Sequence, residues 1–506
     1  MQSVDLVIVG VYLTLVIWLG ARSSRRQTSV DDYFLANQQV PWWALMASIV
    51  ATETSTVTLI SVPGYAFGGD FTFLQLALGY LIGRVLVSVV LLPAYFRGKL
   101  LTVHQLIGQR FGPQVGRFAA SIFLLTRCLS DGFRLFATGL VGAAVLATIP
   151  AVAHLAGMIW PAFDETTILV SAAICLIGAA TLAYTLFGGM RAVIWTDLMQ
   201  LIVYLAGSVV VGLILLSEIP SGWIEIAASA GKLRLFDFTL DATRNYTFWS
   251  AVIGGIFLTS STHGTDQLLV QRYLSSRSVS DAQRALVVSG FVVFVQFTLL
   301  LAIGTMLWTY YTAQAPEELL VLMADGKMPP DQVFPMFMMT HLPAGVRGLM
   351  VASIVAAAMS TMSSSLNSLA ASTVGDFYMP WTDGTRSDRH YLTVSRAATV
   401  AWGVLQLGMA FLAMKFSNRV IDEVLGIQSL TGGLILGLFL LGLIARRRPA
   451  AAGGGLSVGM VVMLLVHVST SLSWQWYAAI GSVTTLTAGW LTDHAIRRFG
   501  GPESVG

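Results

Sequence analysis

Charged side chains are scarce in this chain. Its 506 residues hold 29 Lys and Arg and 26 Asp and Glu, 11% together, where soluble domains carry about 25%. So few charges cannot solvate a globule of this length, which excludes a soluble enzyme, a disordered chain and a nucleic-acid binder. The net charge of +3 marks no nucleic-acid partner. Cysteine is nearly absent: Cys128 and Cys175 lie within apolar runs, so there is neither a disulfide framework nor a zinc pattern. No GxxxxGK[ST] loop occurs, so ATP is not the energy source. What abounds is apolar, 55% of the residues with a mean hydropathy of +0.74. The chain reads as an all-α polytopic membrane protein with the lipid bilayer as its solvent.

Apolar stretches of about 20 residues, enough to cross a roughly 30 Å hydrocarbon core, recur from end to end. Thirteen are expected, near 4–21, 41–66, 71–95, 117–148, 166–188, 192–216, 248–270, 286–310, 346–373, 394–414, 421–445, 453–470 and 474–494. Asp5 opens the first and Arg22 follows it, the reverse of a signal peptide. With thirteen spans the loops fall into two sets. One set holds 19 Lys and Arg, the other 7, with Arg84, Arg127 and Arg134 left inside spans. The richer set belongs in the cytoplasm, which places the N-terminus outside and the C-terminus inside, in a multi-pass protein of the plasma (inner) membrane.

Polarity inside the bilayer marks function. Residues 51–58 put five Ser or Thr and Glu53 halfway along the second span. Hydroxyls compete for backbone hydrogen bonds there, and an unwound turn frees carbonyl oxygens suited to Na⁺. A polar helix face packed on its neighbours is the bland alternative. Residues 356–368 set Ala357, Ser360 and Thr361 on one helix face, and Ser360, Ser363 and Ser364 repeat the spacing. Small-residue helix packing fits that run equally well. Asp197, six residues past Arg191, lies roughly 9 Å deep and needs a partner, for which a cation among the serines around Ser360 would serve. Thr259–Asp266 is a fourth polar interruption, in which His263 reads as a structural group. Arg127, Asp131 and Arg134 share a face of the fourth span. They form either a self-neutralising cluster or one with a spare positive charge for an anionic solute.

At these residues the chain resembles the sodium/solute symporter family, which includes sodium–glucose, sodium–proline, sodium–iodide and sodium–sialic acid transporters. The likeness runs from the first helix to about residue 445. It is carried by Asp32-Tyr33-Phe34-Leu35-Ala36, Pro41-Trp42-Trp43, Gly188-Gly189 through Trp195-Thr196-Asp197 to Gln200, Gln271-Arg272 and Ala357–Ser368. The resemblance implies a LeuT-type fold in one transmembrane domain over 1–506. An extra N-terminal helix at 4–21 precedes inverted repeats at 41–216 and 248–445, and a C-terminal helix pair follows at 453–494. Breaks are implied at 51–58 and 259–266. It further implies a central sodium held by the carbonyls of Ala51, Thr54 and Ala357 and the hydroxyls of Ser360 and Thr361. A second sodium is implied at Asp197, Ser360, Ser363 and Ser364, adding about 2.3 kcal/mol per charge per 100 mV of driving force.

The polar contacts of the sugar-transporting relatives are replaced here by Thr58, Ala77, Thr259 and Val293, which disfavours a hexose. Glu53 is expected to help a sodium, bind a substrate ammonium or carry a proton, with a salt bridge to Arg84 as its alternative. Ser55, Thr58, Thr259, Thr262 and Gln428, with Arg134 nearby, are expected to bind the solute, a small organic anion or zwitterion. The expected function is sodium-coupled symport by alternating access, with Na⁺ as coupling ion, no organic cofactor and no enzymatic activity. A proton-coupled symporter, a solute sensor and a membrane-embedded enzyme are the alternatives.

Overall fold

The computed structural model describes residues 1–23, 27–98, 100–149, 152, 164–322, 330–415, 420–444 and 448–499, with side chains described from Thr431 onward in the Val420–Ile444 helix. Among the described residues the only β pairing is an isolated bridge between Val40 and Ser276; the rest is helix and connections. Among the described residues eight helices are long and apolar enough to cross a membrane, nine if the bent pair Trp42–Glu53 and Thr56–Gly68 is one span. Glu165–Glu218 runs 54 residues, about 81 Å at 1.5 Å each, far more than a bilayer requires. It is interrupted at Gly189, whose φ of 54° and ψ of −158° suit glycine alone. That break falls in the gap between the two spans expected at 166–188 and 192–216.

The Val346–Ser372 helix is the axis of the bundle. Its Ala- and Ser-rich surface is buried almost throughout and packs on Glu165–Glu218 and Pro113–Ala147. With lipid tails as apolar as leucine, close backbone approach takes the place of a hydrophobic drive. The same logic joins Leu74–Val90 to Phe248–Thr265. A Cβ on Gly79 would lie 2.5 Å from the Val252 carbonyl oxygen, and one on Gly255 would lie 2.8 Å from that of Leu76.

Two helices are broken, and the site is built on the breaks. In the first, Thr54 (ψ 100°) and Ser55 (ψ 169°) are extended, and the halves bend by 66°. Thr54 turns its hydroxyl back onto the Val50 carbonyl, 2.8 Å away. Ser55 and Thr58 form a capping box that starts the second half. The second break is shorter than expected. Residues 259–265 stay helical, with the hydroxyls of Thr262 and Thr265 donating to the carbonyls of Leu258 (2.9 Å) and Ser261 (2.8 Å). Only Asp266 is extended (ψ 121°), and its carboxylate caps Gln267–Leu274 by accepting from the Leu268 amide at 3.0 Å.

Candidate functional site

The break at Thr54–Ser55 ends the hydrogen-bond ladder of Trp42–Glu53, so carbonyls from Ala51 onward lose the amides that would continue the helix. The hydroxyl of Thr361 lies at this point, 3.4 Å from the Thr52 carbonyl oxygen and 3.2 Å from that of Ala357. Thr54 is tied across to Gln296, 3.1 Å away. Beside Thr361 opens a small cavity whose polar lining comprises Ser55, Thr56, Asp131, Arg134, Thr138 and Thr361. Two of the expected solute residues, Ser55 and Arg134, therefore share a cavity with an expected sodium ligand.

Asp197 is fully buried, and its partner is one that sequence reasoning placed elsewhere. Arg272, counted above as a loop charge, is fully buried and donates to Asp197 Oδ2 at 3.1 Å. Its guanidinium also reaches Ser48 Oγ (2.9 Å), the Leu268 carbonyl (2.5 Å) and Ser364 Oγ. Asp197 accepts in addition from Ser48 (2.5 Å) and Ser360 (2.7 Å). Ser363 and Ser364 both donate to the Ser360 carbonyl, at 3.1 and 2.7 Å. Asp197, Ser360 and Ser364, three of the four residues expected at a second sodium, thus meet around a guanidinium, while Ser363 bonds within its own helix.

The cluster on Pro113–Ala147 contains a fourth member. Asp131 Oδ1 lies 3.6 Å from Arg127 and 3.4 Å from Arg134, and Arg127 is also paired with Asp266. Two arginines and two carboxylates balance, so the spare positive charge weighed above is neutralised from the second broken helix. Asp131 Oδ2 is buried without a donor among the described residues.

Glu53, at the end of Trp42–Glu53, is paired with Arg84 and lies 3.6 Å from His263 Nε2. Arg84 donates to Ser289 Oγ at 2.6 Å as well, and His263 Nδ1 is hydrogen-bonded with the Tyr273 hydroxyl at 2.7 Å. Of the remaining expected solute residues, Thr58 serves the capping box and Thr259 packs at the Gly83 crossing. Thr262 lines a separate cavity with Arg127. The side chain of Gln428 lies outside the described residues. Sequence reasoning missed Arg272, Ser48 and Asp266 as partners. The one available signal was energetic: a buried Asp197, and two arginines against one acid, each demanded an opposite charge.

A model of the sodium:solute symporter family matches residues 33–462. The chain is 28% identical to the sodium/sialic acid symporter NanT of Aliivibrio fischeri, over 95% of this chain and 91% of that protein. It is also 28% identical to the human sodium-coupled monocarboxylate transporter 1, over 89% and 70%. The structure superimposes on that of a Na⁺-coupled sialic acid symporter, solved substrate-bound and outward-open, with a TM-score of 0.84, 25% identity and full coverage of both chains.

Proposed function

This chain belongs to the sodium:solute symporter family, and from that premise we propose which of its residues carry the ion and the solute. It is a multi-pass membrane transporter of LeuT-type fold that couples Na⁺ to the movement of a small solute; it is not an enzyme. The central sodium is held by the carbonyls of Ala51, Thr54 and Ala357 and the hydroxyls of Ser360 and Thr361. The observation that carries this reading is Thr361, whose hydroxyl sits at the carbonyls of the broken helix and at the wall of the Ser55–Arg134 cavity. Ion and solute then share one wall, which is a direct physical route to coupling.

The solute is a small organic acid whose carboxylate competes with Asp131 for Arg134, a planar fork suited to carboxylates. A hydroxyl or ammonium of the same molecule donates to Asp131 Oδ2, relieving a buried acceptor that otherwise lacks a partner. The names of two relatives, for sialic acid and for monocarboxylates, share this carboxylate chemistry. The repeats run over 41–216 and 248–445, and the thirteen spans leave the N-terminus outside. With Arg272 removed from the loops, the count of basic residues is still 18 against 7. The Pro113 end of Pro113–Ala147 then faces the cytoplasm.

Thermal stability of the detergent-purified protein in NaCl, KCl and choline chloride tests the ion site. Sodium at 100 times its dissociation constant stabilises the folded state by about 2.7 kcal/mol. A sodium-specific shift that Thr361→Ala abolishes is expected, and no such shift refutes the site. With sodium present, sialic acid or lactate adds a further shift that Arg134→Gln removes while the sodium shift remains. The sodium dependence of uptake decides the second ion. A Hill coefficient near 2, reduced to 1 by Ser363→Ala, assigns it to Asp197, Ser360, Ser363 and Ser364. A coefficient of 1 leaves Arg272 as the sole counter-charge of Asp197.

A further inference from the structure

Beside Arg127 the structure holds a second, small cavity. Arg127, Thr126, Ser130, Thr262, Asp266 and His104 are among the polar residues of a lining that is largely apolar. Arg127 is 95% buried. Ser130 Oγ is also buried, lines the cavity and has no hydrogen-bond partner among the described residues. A buried hydroxyl left unpaired beside a buried guanidinium is what an absent acceptor leaves behind.

We propose that this cavity is a second anion station, which takes the carboxylate of the transported acid from Arg134 on its way to the cytoplasm. The inference rests on reading the Arg134 cavity as the acid site. Arg127 stands seven residues below Arg134 on the same face, a rise of about 10 Å. Asp131 touches both, at 3.6 and 3.4 Å. A carboxylate on Arg134 competes with Asp131 for that guanidinium and turns Asp131 toward Arg127. Arg127 is then over-supplied with negative charge, and Asp266 is the partner able to leave. Asp266 sits on the break of Phe248–Leu274, so a change of angle between the two halves moves it directly. Once it departs, Arg127 and Ser130 present a guanidinium fork and a hydroxyl donor to an incoming carboxylate.

Calorimetric titration of the purified full chain in saturating NaCl, with sialic acid and separately with lactate, tests this. Asp266→Asn is expected to bind two equivalents of acid, and Asp266→Asn/Arg127→Gln one. Equal stoichiometry in the two variants, or binding of neither acid to any variant, overturns the station. Asp266→Asn/Arg134→Gln separates the readings: one remaining equivalent that requires Arg127 keeps this station while refuting the Arg134 site. Ser130→Ala disturbs neither ion pair and guards against misfolding of the Asp266 variant. In proteoliposomes it is expected to raise the half-saturating acid concentration at least fivefold from the cytoplasmic face and to leave the outer face unchanged. An equal change at both faces, or none, overturns the proposal.

Discussion

Replacing Arg272 by methionine removes one guanidinium and strands several acceptors at once. The side chain donates to Asp197 at 3.1 Å, to Ser48 at 2.9 Å, to the Leu268 carbonyl at 2.5 Å and to Ser364. Ser48 and Ser360 would still donate to Asp197, but no opposite charge would face a carboxylate with no solvent exposure. Breaking a buried pair from one side costs about 3–5 kcal/mol. Asp197→Asn strands the guanidinium instead and should cost a similar amount. The double variant Asp197→Asn/Arg272→Met leaves no uncompensated charge, so its cost should be near that of one single change rather than the sum. The coupling is then about 3 kcal/mol, the upper end of what residues in contact show. Membrane proteins in detergent unfold irreversibly, so the assay is the half-life of the folded, monodisperse species at a fixed elevated temperature. At a factor of ten per 1.4 kcal/mol, the double variant should outlast the product of the single effects by roughly 100-fold. Additive single effects, or an Arg272→Met half-life within twofold of the parent, would refute the pairing.

Glu53→Gln should destabilise by about 3–5 kcal/mol by leaving the fully buried Arg84 without its carboxylate; recovery in Glu53→Gln/Arg84→Met, measured by the same half-lives, checks that charge and not shape is responsible. Asp376→Asn should cost about 1–3 kcal/mol, because Asp376 accepts from Thr102 and Ser372 and lies 3.0 Å from His104, clamping Val103–Phe111 to the end of the central helix. An unchanged melting temperature would dismiss that clamp. Gly304→Ala places a Cβ 2.1 Å from the Pro63 carbonyl oxygen and should cost about 1–3 kcal/mol through overpacking, read as a lower melting temperature with Gly304→Ser lower still.

The parts of this architecture legible in the sequence are those set by local chemistry. Threonine and serine at 51–58 weaken a helix through their own hydroxyls, and the break appears where that argument places it, at Thr54–Ser55. The run at 259–265 has the same composition and stays helical, although its hydroxyls bond back one turn just as Thr54 does at the first break. Composition alone does not distinguish these outcomes. Arg272 was illegible for a different reason. It follows an apolar span and looks like a loop charge, yet every residue of Gln267–Leu274 is buried. That half-helix lies inside the bundle and brings Arg272 to Asp197, 75 residues distant in the chain. Asp266 itself reaches Arg127 across 139 residues. Charge balance shows that such partners must exist, but only the packing says which.

Both breaks end a half-helix in a carboxylate, Glu53 in one and Asp266 in the other. The C-terminal end of a helix already carries partial negative charge, so an acid there opposes the macrodipole and must be answered by a cation. In the described state the answers are arginines from other helices, Arg84 and Arg127. The same end of Trp42–Glu53 presents the carbonyls proposed to hold sodium. On that proposal one negative helix end would be served by two kinds of cation, a fixed guanidinium on the carboxylate and a diffusible ion on the carbonyls. At the second break Asp266 also caps the next half-helix, where a negative charge is favourable. Losing Arg127 therefore costs Asp266 less than losing Arg84 would cost Glu53. The asymmetry matches the two proposals: the first break would hold its cations, and the second would let one go.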